Sequence, residues 1–163
     1  MPFFYDINRQ TTSNGSAGTE TTHLWGKTSS SSLQETVGIY GVYAASRFLT
    51  AGGAQINVKT NTGTTASGGS ATVPTSKNLR GNPAAVSIWA NDSSAITPGT
   101  TLTIRMTVGF AQTGGMGGYV PIVPTAAVQM IAGAVNPVDL EMTSDAATAS
   151  VTFGLTVDIG EGI

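Results

Sequence analysis

The sequence predicts an all-β protein, an antiparallel two-sheet sandwich of jelly-roll-like type with long Gly/Ser/Thr loops and an extended N-terminal arm. Three observations carry this. The stretch Thr101-Leu102-Thr103-Ile104-Arg105-Met106-Thr107-Val108-Gly109-Phe110 alternates polar and apolar residues without a break, and only a strand puts such a set on one face. Turn signals recur along the chain at the spacing of sandwiches and barrels. No segment carries the apolar period of a long amphipathic helix.

Taken in order, Phe3-Phe4-Tyr5-Asp6-Ile7-Asn8 is a short aromatic, β-prone piece. Residues 9–19 are rich in Thr, Ser, Asn and Gly and read as a loop. Together they suggest an arm, residues 1–20, ahead of a single domain, residues 21–163; the alternative is an edge strand of that same domain. A free arm would be dispensable for folding. Thr21-Thr22-His23-Leu24-Trp25 is a strand candidate. Residues 36–48 hold β-branched and aromatic residues but alternate poorly, which fits a strand covered on both faces or one that turns helical in its second half. Ala54-Gln55-Ile56-Asn57-Val58-Lys59-Thr60 alternates modestly. The stretch 74–83, bounded by prolines, reads as a surface loop. Residues 84–90 form another strand, and Asn91-Asp92-Ser93-Ser94 reads as a turn. The even positions from 102 to 110 are expected to face the core.

Beyond Phe110 the chain changes character. Gly114-Gly115-Met116-Gly117-Gly118 is followed by Tyr119-Val120-Pro121-Ile122-Val123-Pro124. Proline cannot donate to a ladder, so this is an edge or an extended arm. The glycines lack the Lys-Ser/Thr that completes a phosphate loop. Glycine lets a segment conform to a surface, and Met116, Tyr119, Val120 and Ile122 supply apolar anchors for docking on another protein. Residues 126–132 are a short strand or helical turn, and 137–143 and 150–159 alternate cleanly.

Composition narrows the function. Charged residues are 10% of the chain, against a typical ~25%. Its surface must be hydroxyls, amides and glycine, which do little to keep copies apart. That favours permanent assembly. The net charge of −2 argues against a phosphate-backbone partner. No apolar run approaches the ~20 residues of a membrane span, and the N-terminus lacks the pattern of a signal peptide. Synthesis and use in the cytoplasm, or release by lysis, is the expectation.

Catalytic chemistry is thin. With no cysteine, thiolate sites and disulfides are excluded. His23 is the single histidine and stands in no nucleophile motif, so a packing or surface role is expected. Asp139, Glu141, Asp145, Asp158 and Glu161 all follow the last basic residue, Arg105. Asp139 and Glu141 share a strand face by period two. If Asp158 lies on a neighbouring strand, the three would make a weak calcium site or, suitably spaced, a glycosidase pair. The plainer expectation is a solvated face, with Arg105 available as a cross-strand partner. No cofactor is expected.

The aromatic Phe3-Phe4-Tyr5, the segment Leu33-Gln34-Glu35-Thr36-Val37-Gly38-Ile39-Tyr40-Gly41-Val42-Tyr43, the block Gly109-Phe110-Ala111-Gln112-Thr113-Gly114-Gly115, and Asn136-Pro137-Val138-Asp139-Leu140 together resemble the cement or decoration proteins of tailed-bacteriophage heads. The likeness is one of size, β content, missing cysteine and neutral surface. It implies a virion protein, often trimeric, made in the host cytoplasm and seated on the capsid surface against the major capsid protein. Phe3, Phe4 and Tyr5 and the glycine-rich loop would then supply partner contacts by strand addition. The rivals are a tail, spike or fibre subunit, and a carbohydrate-binding sandwich in which Trp25 and Trp89 stack on sugar rings. The last requires an exposed aromatic platform.

Overall fold

In the computed structural model the described residues are 3–13, 19–28, 36–47, 54–78, 81, 85, 87–110, 118–121, 128–131, 138–146 and 152–161. They form twelve strands and no helix: β1 (Phe3–Ser13), β2 (Thr21–Thr28), β3 (Thr36–Arg47), β4 (Ala54–Asn61), β5 (Ser67–Thr72), β6 (Thr75–Ser76), β7 (Ser87–Thr97), β8 (Leu102–Phe110), β9 (Gly118–Pro121), β10 (Val128–Ile131), β11 (Asp139–Ala146) and β12 (Thr152–Glu161). No helix among them is long and apolar enough to cross a membrane.

The strands make two six-stranded sheets, and every pairing is antiparallel. The first runs β10-β3-β12-β1-β6, with β9 also on β3. The second runs β5-β7-β2-β11-β4-β8. In neither sheet are hydrogen-bonded neighbours consecutive in sequence, so the chain is woven between the sheets rather than folded as hairpins. Such non-local pairing is slow to form.

The two inner faces meet in one core. Tyr5, Ile7, Val37, Ile39, Val42, Leu155, Val157 and Ile159 come from the first sheet; Leu24, Ile56, Val58, Trp89, Leu140 and Met142 come from the second. The clean alternation of 137–143 and 150–159 is borne out in Leu140 and Met142 and in Leu155, Val157 and Ile159, all buried. Gly26 lies on this face because a Cβ there would run into the indole of Trp89. On the outer face of the first sheet, Gly160 leaves room for Tyr40 and Phe4, whose rings meet edge to face at 5.3 Å.

Several expectations change. Of the two alternatives for the N-terminal segment, the structure has the strand: β1 pairs with β12 from Phe3 to Ser13, and with β6 at Tyr5 and Asp6. The alternation of Tyr5 and Ile7 decides this, since both side chains complete the core. β3 is a strand throughout rather than half helical. The turn signal at 91–94 lies inside β7, where pairing with β5 shifts register. The loop 74–83 contains β6, and 128–131 is a strand.

The opening signal also needs correction. β8 is a strand, but its even positions do not form one core face: Leu102 and Met106 are half-buried and Ile104 is 52% exposed. A register shift at Arg105 sets Leu102 and Ile104 opposite Asn61 and Lys59 while Met106, opposite Val58, packs on the core. Position adds to this. β1 lies over β7, and β3 and β10 lie over β2. β8 is three strands beyond β2, at the margin of the second sheet. Alternation reports which face is apolar, not whether a second layer reaches it.

Candidate functional site

Most of the sequence's chemistry converges on the outer face of the second sheet. Period two on β11 points Asp139, Glu141 and Thr143 outward, opposite Asn61, Lys59 and Asn57 of β4. Trp25 stands opposite Glu141 on β2. This face is sealed rather than solvated: Asp139 and Glu141 are both 0% exposed.

Two loops do the sealing. The segment after β4 is held by Asn61, whose Nδ2 donates to Thr64 O at 2.7 Å and to Asp139 Oδ2 at 3.0 Å. Ala66 N donates to the same Asp139 oxygen at 2.8 Å. The segment before β8 is held by Glu141, which accepts from Gly99 N at 2.7 Å and from Thr22 Oγ1 at 3.3 Å. Gly99 packs so closely on Asn61 that no Cβ fits there. Burial raises the pKa of both acids. For Asp139 the Ala66 and Asn61 donors and the Lys27 charge oppose that rise. For Glu141 the Gly99 donor opposes it, while the negative charge of Asp139 adds to it.

A third acid, Glu20, which no sequence pattern singles out, closes the far end of the face. It lies just before β2 and meets Lys59 Nζ at 2.5 Å, Thr143 Oγ1 at 2.5 Å and Asn57 Nδ2 at 3.4 Å. Burial alone would raise its pKa; the Lys59 ammonium and the hydroxyl and amide donors outweigh it and hold it below the usual glutamate range. Lys59 is buried, and Glu20 is the carboxylate that pairs with it.

The calcium grouping of Asp139, Glu141 and Asp158 does not form. Asp158 is in β12, in the other sheet, opposite Asp6, and Lys77 Nζ reaches both at 2.8 and 3.0 Å. Among the described residues no three His, Cys, Asp or Glu side chains gather as metal ligands. Among the described residues Arg105 pairs with no acid. Its neighbour strand is β4, and Nε donates to Thr60 Oγ1 at 2.8 Å.

His23 is fully buried with Nε2 2.6 Å from Ser144 Oγ. Ser144 is likewise fully buried, so the pair has no path to a substrate. The tryptophans are also enclosed. Trp25, 8% exposed, packs with Ala66, Ala90 and Ile96 and donates Nε1 to Gly68 O at 3.0 Å. Trp89, 1% exposed, donates to Ser87 Oγ at 2.7 Å. Neither is a platform for a sugar ring.

One cleft of about 430 Å³ lies beside Tyr5, Val73, Pro74, Ser87, Ile88 and Trp89. Its walls are apolar. The hydroxyl at its base, Ser87, donates to Glu161, which also accepts Ser87 N at 2.9 Å. The nearby Tyr5 hydroxyl is pushed up, by burial and then by the Glu161 charge. These polar groups serve one another: both the hydroxyl and the backbone N–H of Ser87 end on one oxygen of Glu161.

Of the residues expected to touch a partner, Phe3 and Phe4 are exposed. Tyr5, at 2% exposed, is not, because it belongs to the core. Tyr119 and Val120 lie in β9, in register with Tyr43 and Val42 of β3. That agrees with an edge position for the proline-broken stretch. Met116 and Ile122 lie outside the described residues.

No family model matches the chain, and no curated protein matches it. Among solved structures, the chain is similar to "Unassembled KI Polyomavirus VP1 Pentamer", with a TM-score of 0.37 and 8% identity over 98% of this chain and 93% of that one. A likeness at that level carries no argument about what this chain does.

Proposed function

We propose that the chain is a structural virion protein that binds the outside of a tailed-phage capsid and stabilises it by bridging coat-protein subunits. The observation that supports this reading is the sealed outer face. The acids Asp139 and Glu141, the base Lys59 and both tryptophans are buried within the protein's own packing. What remains outside is a neutral surface on a chain with 10% charged residues. Such a molecule acts by contact, not by turnover. The contacts expected of this reading are Phe3 and Phe4 at the start of β1 and the segment around β9. A homotrimer on the major capsid protein is its expected assembly. The sugar-binding alternative loses its platform with the burial of Trp25 and Trp89.

The mechanism would be mass action: a protein that binds only the assembled shell shifts the equilibrium toward that shell. The test mixes the purified chain with tailed-phage heads stripped of their auxiliary protein. Saturable co-sedimentation and a higher rupture temperature of the heads are expected. Heads that neither bind it nor gain stability would overturn the proposal.

A further inference from the structure

β5 belongs to the second sheet and β6 to the first, so the chain crosses between the sheets at residues 72–76. Thr72, Val73, Pro74 and Ser76 line the cleft that also has Tyr5 and Trp89 in its walls. This crossing carries no buried side chain. Residues 71–78 are all exposed or half-buried, and Val73 is 82% exposed. Packing therefore does little to hold it, and segments with few buried apolar contacts open locally at low cost.

What fastens it is short and polar. β6 pairs with β1 at two positions, Ser76 with Tyr5 and Thr75 with Asp6, and Lys77 N donates to Phe4 O at 3.1 Å. The Lys77 side chain then bridges two carboxylates, with Nζ 3.0 Å from Asp6 Oδ1 and 2.8 Å from Asp158 Oδ1. Asp6 and Asp158 stand directly opposite each other on β1 and β12, a like-charge pairing that costs stability unless a cation answers it. Among the described residues Lys77 is the cation that does so. The other described neighbours on this face carry no charge. They are Thr75 beside Asp6, Gly41 of β3 opposite Asp158, and the Phe4 and Tyr40 rings at Gly160. Burial pushes the Tyr40 hydroxyl up, so it stays neutral in acid. Tyr5 and Glu161 lie on the opposite face of the sheet, with the cleft and Ser87.

We propose that residues 72–78 are an acid-released strap: Lys77 fastens them across the side of the sandwich by bridging Asp6 and Asp158, and protonation of that carboxylate pair lets them lift from β1 and open the cleft. The sign follows from the comparison of the fastened strap with the lifted one, β1 and β12 staying paired in both. Fastening brings an ammonium up to two carboxylates and so favours their ionised forms. With the strap lifted the two acids face each other without it, and they hold a proton to higher pH. Fastening is therefore favoured above the range in which the pair titrates, and is lost as pH falls through it. Even with the strap fastened, Asp6 stands above its ordinary 3.8, through burial first and then through its hydrogen bond with Asp158, while Lys77 opposes the rise. Loosening thus begins above the usual aspartate range. It uncovers the apolar lining beside Trp89 and leaves both sheets intact.

Hydrogen exchange between about pH 4 and 7, corrected for intrinsic exchange, tests this. Protection of the Lys77 amide should fall about three- to tenfold from neutral to acid, the scale of two half-exposed ion pairs. Amides of β4 and β11, at the centre of the second sheet, should not fall with it. Lys77→Met removes the ammonium, so its protection should be low and the same at both ends of the range. Asp6→Asn leaves Lys77 one carboxylate with no like-charged neighbour, so loosening should need a lower pH. Acrylamide quenching of tryptophan emission in the wild type should rise over the range in which the Lys77 amide loses protection, because Trp89 lines the cleft. Flat protection in the wild type overturns the proposal. So does an equal fall in Lys77→Met, an unmoved midpoint in Asp6→Asn, a fall shared with β4 and β11, or quenching that does not change. None of these measurements involves capsids, so they stand apart from the virion reading.

Discussion

Asp139 is a buried acid whose two hydrogen bonds both end on one oxygen, Oδ2, with donors Asn61 Nδ2 and Ala66 N. The other oxygen, Oδ1, has no hydrogen-bond partner among the described residues. Replacing the residue with Ala and with Asn should therefore give different results. Asp139→Ala strands both donors. A buried donor left unsatisfied costs about 1–3 kcal/mol, so the variant should lose roughly 2–5 kcal/mol. Asp139→Asn can keep both bonds with its amide oxygen and places its NH₂ at the partnerless position, for a loss of about 1–2 kcal/mol at low pH. The pH dependence separates them further. The folded pKa of Asp139 is raised by burial above its ordinary value of 3.8. Below that value the acid is protonated in both states. As pH rises, the unfolded chain releases the proton first, and stability is lost until the folded pKa has been passed. Asn does not titrate, so the wild-type advantage over Asp139→Asn should shrink from pH 4 towards neutrality. Urea unfolding followed by the fluorescence of the buried Trp25 and Trp89 measures this directly. Equal losses in the two variants, or an Asn deficit that grows with pH, would refute the account.

Other expectations follow from the same structure. Gly26→Ala pushes a Cβ into the Trp89 ring and should cost about 1–3 kcal/mol with a change in indole emission; unchanged stability would contradict the packing. Glu20→Gln removes the partner of the buried Lys59; because Glu20 is itself partly exposed, the loss should be a modest ~1–2 kcal/mol by chemical denaturation. Deleting residues 1–10 takes Tyr5 and Ile7 out of the core, so the truncated chain should not give a cooperative unfolding transition; a folded product would return the segment to the status of an arm. Lys77 clamps Asp6 and Asp158, and those two carboxylates raise its pKa against the opposing effect of burial. A raised lysine contributes stability that is lost as pH rises through the folded pKa, above the ordinary 10.5. Protection of the Lys77 amide, bonded to Phe4 O at 3.1 Å, should fall in that alkaline window after correction for intrinsic exchange, and Lys77→Met should abolish the dependence.

The fold class was legible because period-two alternation is local. Leu140 and Met142, and Leu155, Val157 and Ile159, announce a buried face from a few residues each. Layer coverage is not local. Nothing within Leu102–Phe110 says that its strand ends a sheet or that its register shifts at Arg105, which is why Ile104 reads as core and stands exposed. The acids failed as a group for the same reason. Period two correctly placed Asp139 and Glu141 on one face, but the assignment of Asp158 to the opposite sheet depends on how β12 is threaded between β3 and β1. Glu20 was invisible because its role is defined wholly by partners 37 to 123 residues away. The turn reading of Asn91-Asp92-Ser93-Ser94 mistook an irregularity inside β7 for its end.

The sealed outer face leaves little of the middle of the second sheet open to association in a chain so poor in charge. A sheet of the sandwich must cover one face with the other sheet and solvate the second. Here the middle of the outer face is covered by the chain's own loops, with Asp139 and Glu141 anchoring the segments on either side of β5 and β7 through backbone N–H donors at Ala66 and Gly99. Carboxylates suit this because an acceptor of several lone pairs can hold a loop that has no side chain to offer, as at Gly99. The central strands of that sheet are thus closed above and below. Weakening the loop anchors should therefore expose the outer face: Asp139→Ala should give polydisperse aggregates in light scattering at concentrations where the wild-type chain gives a single species. A variant that scatters like the wild type would break the link between the buried acids and the protection of this face.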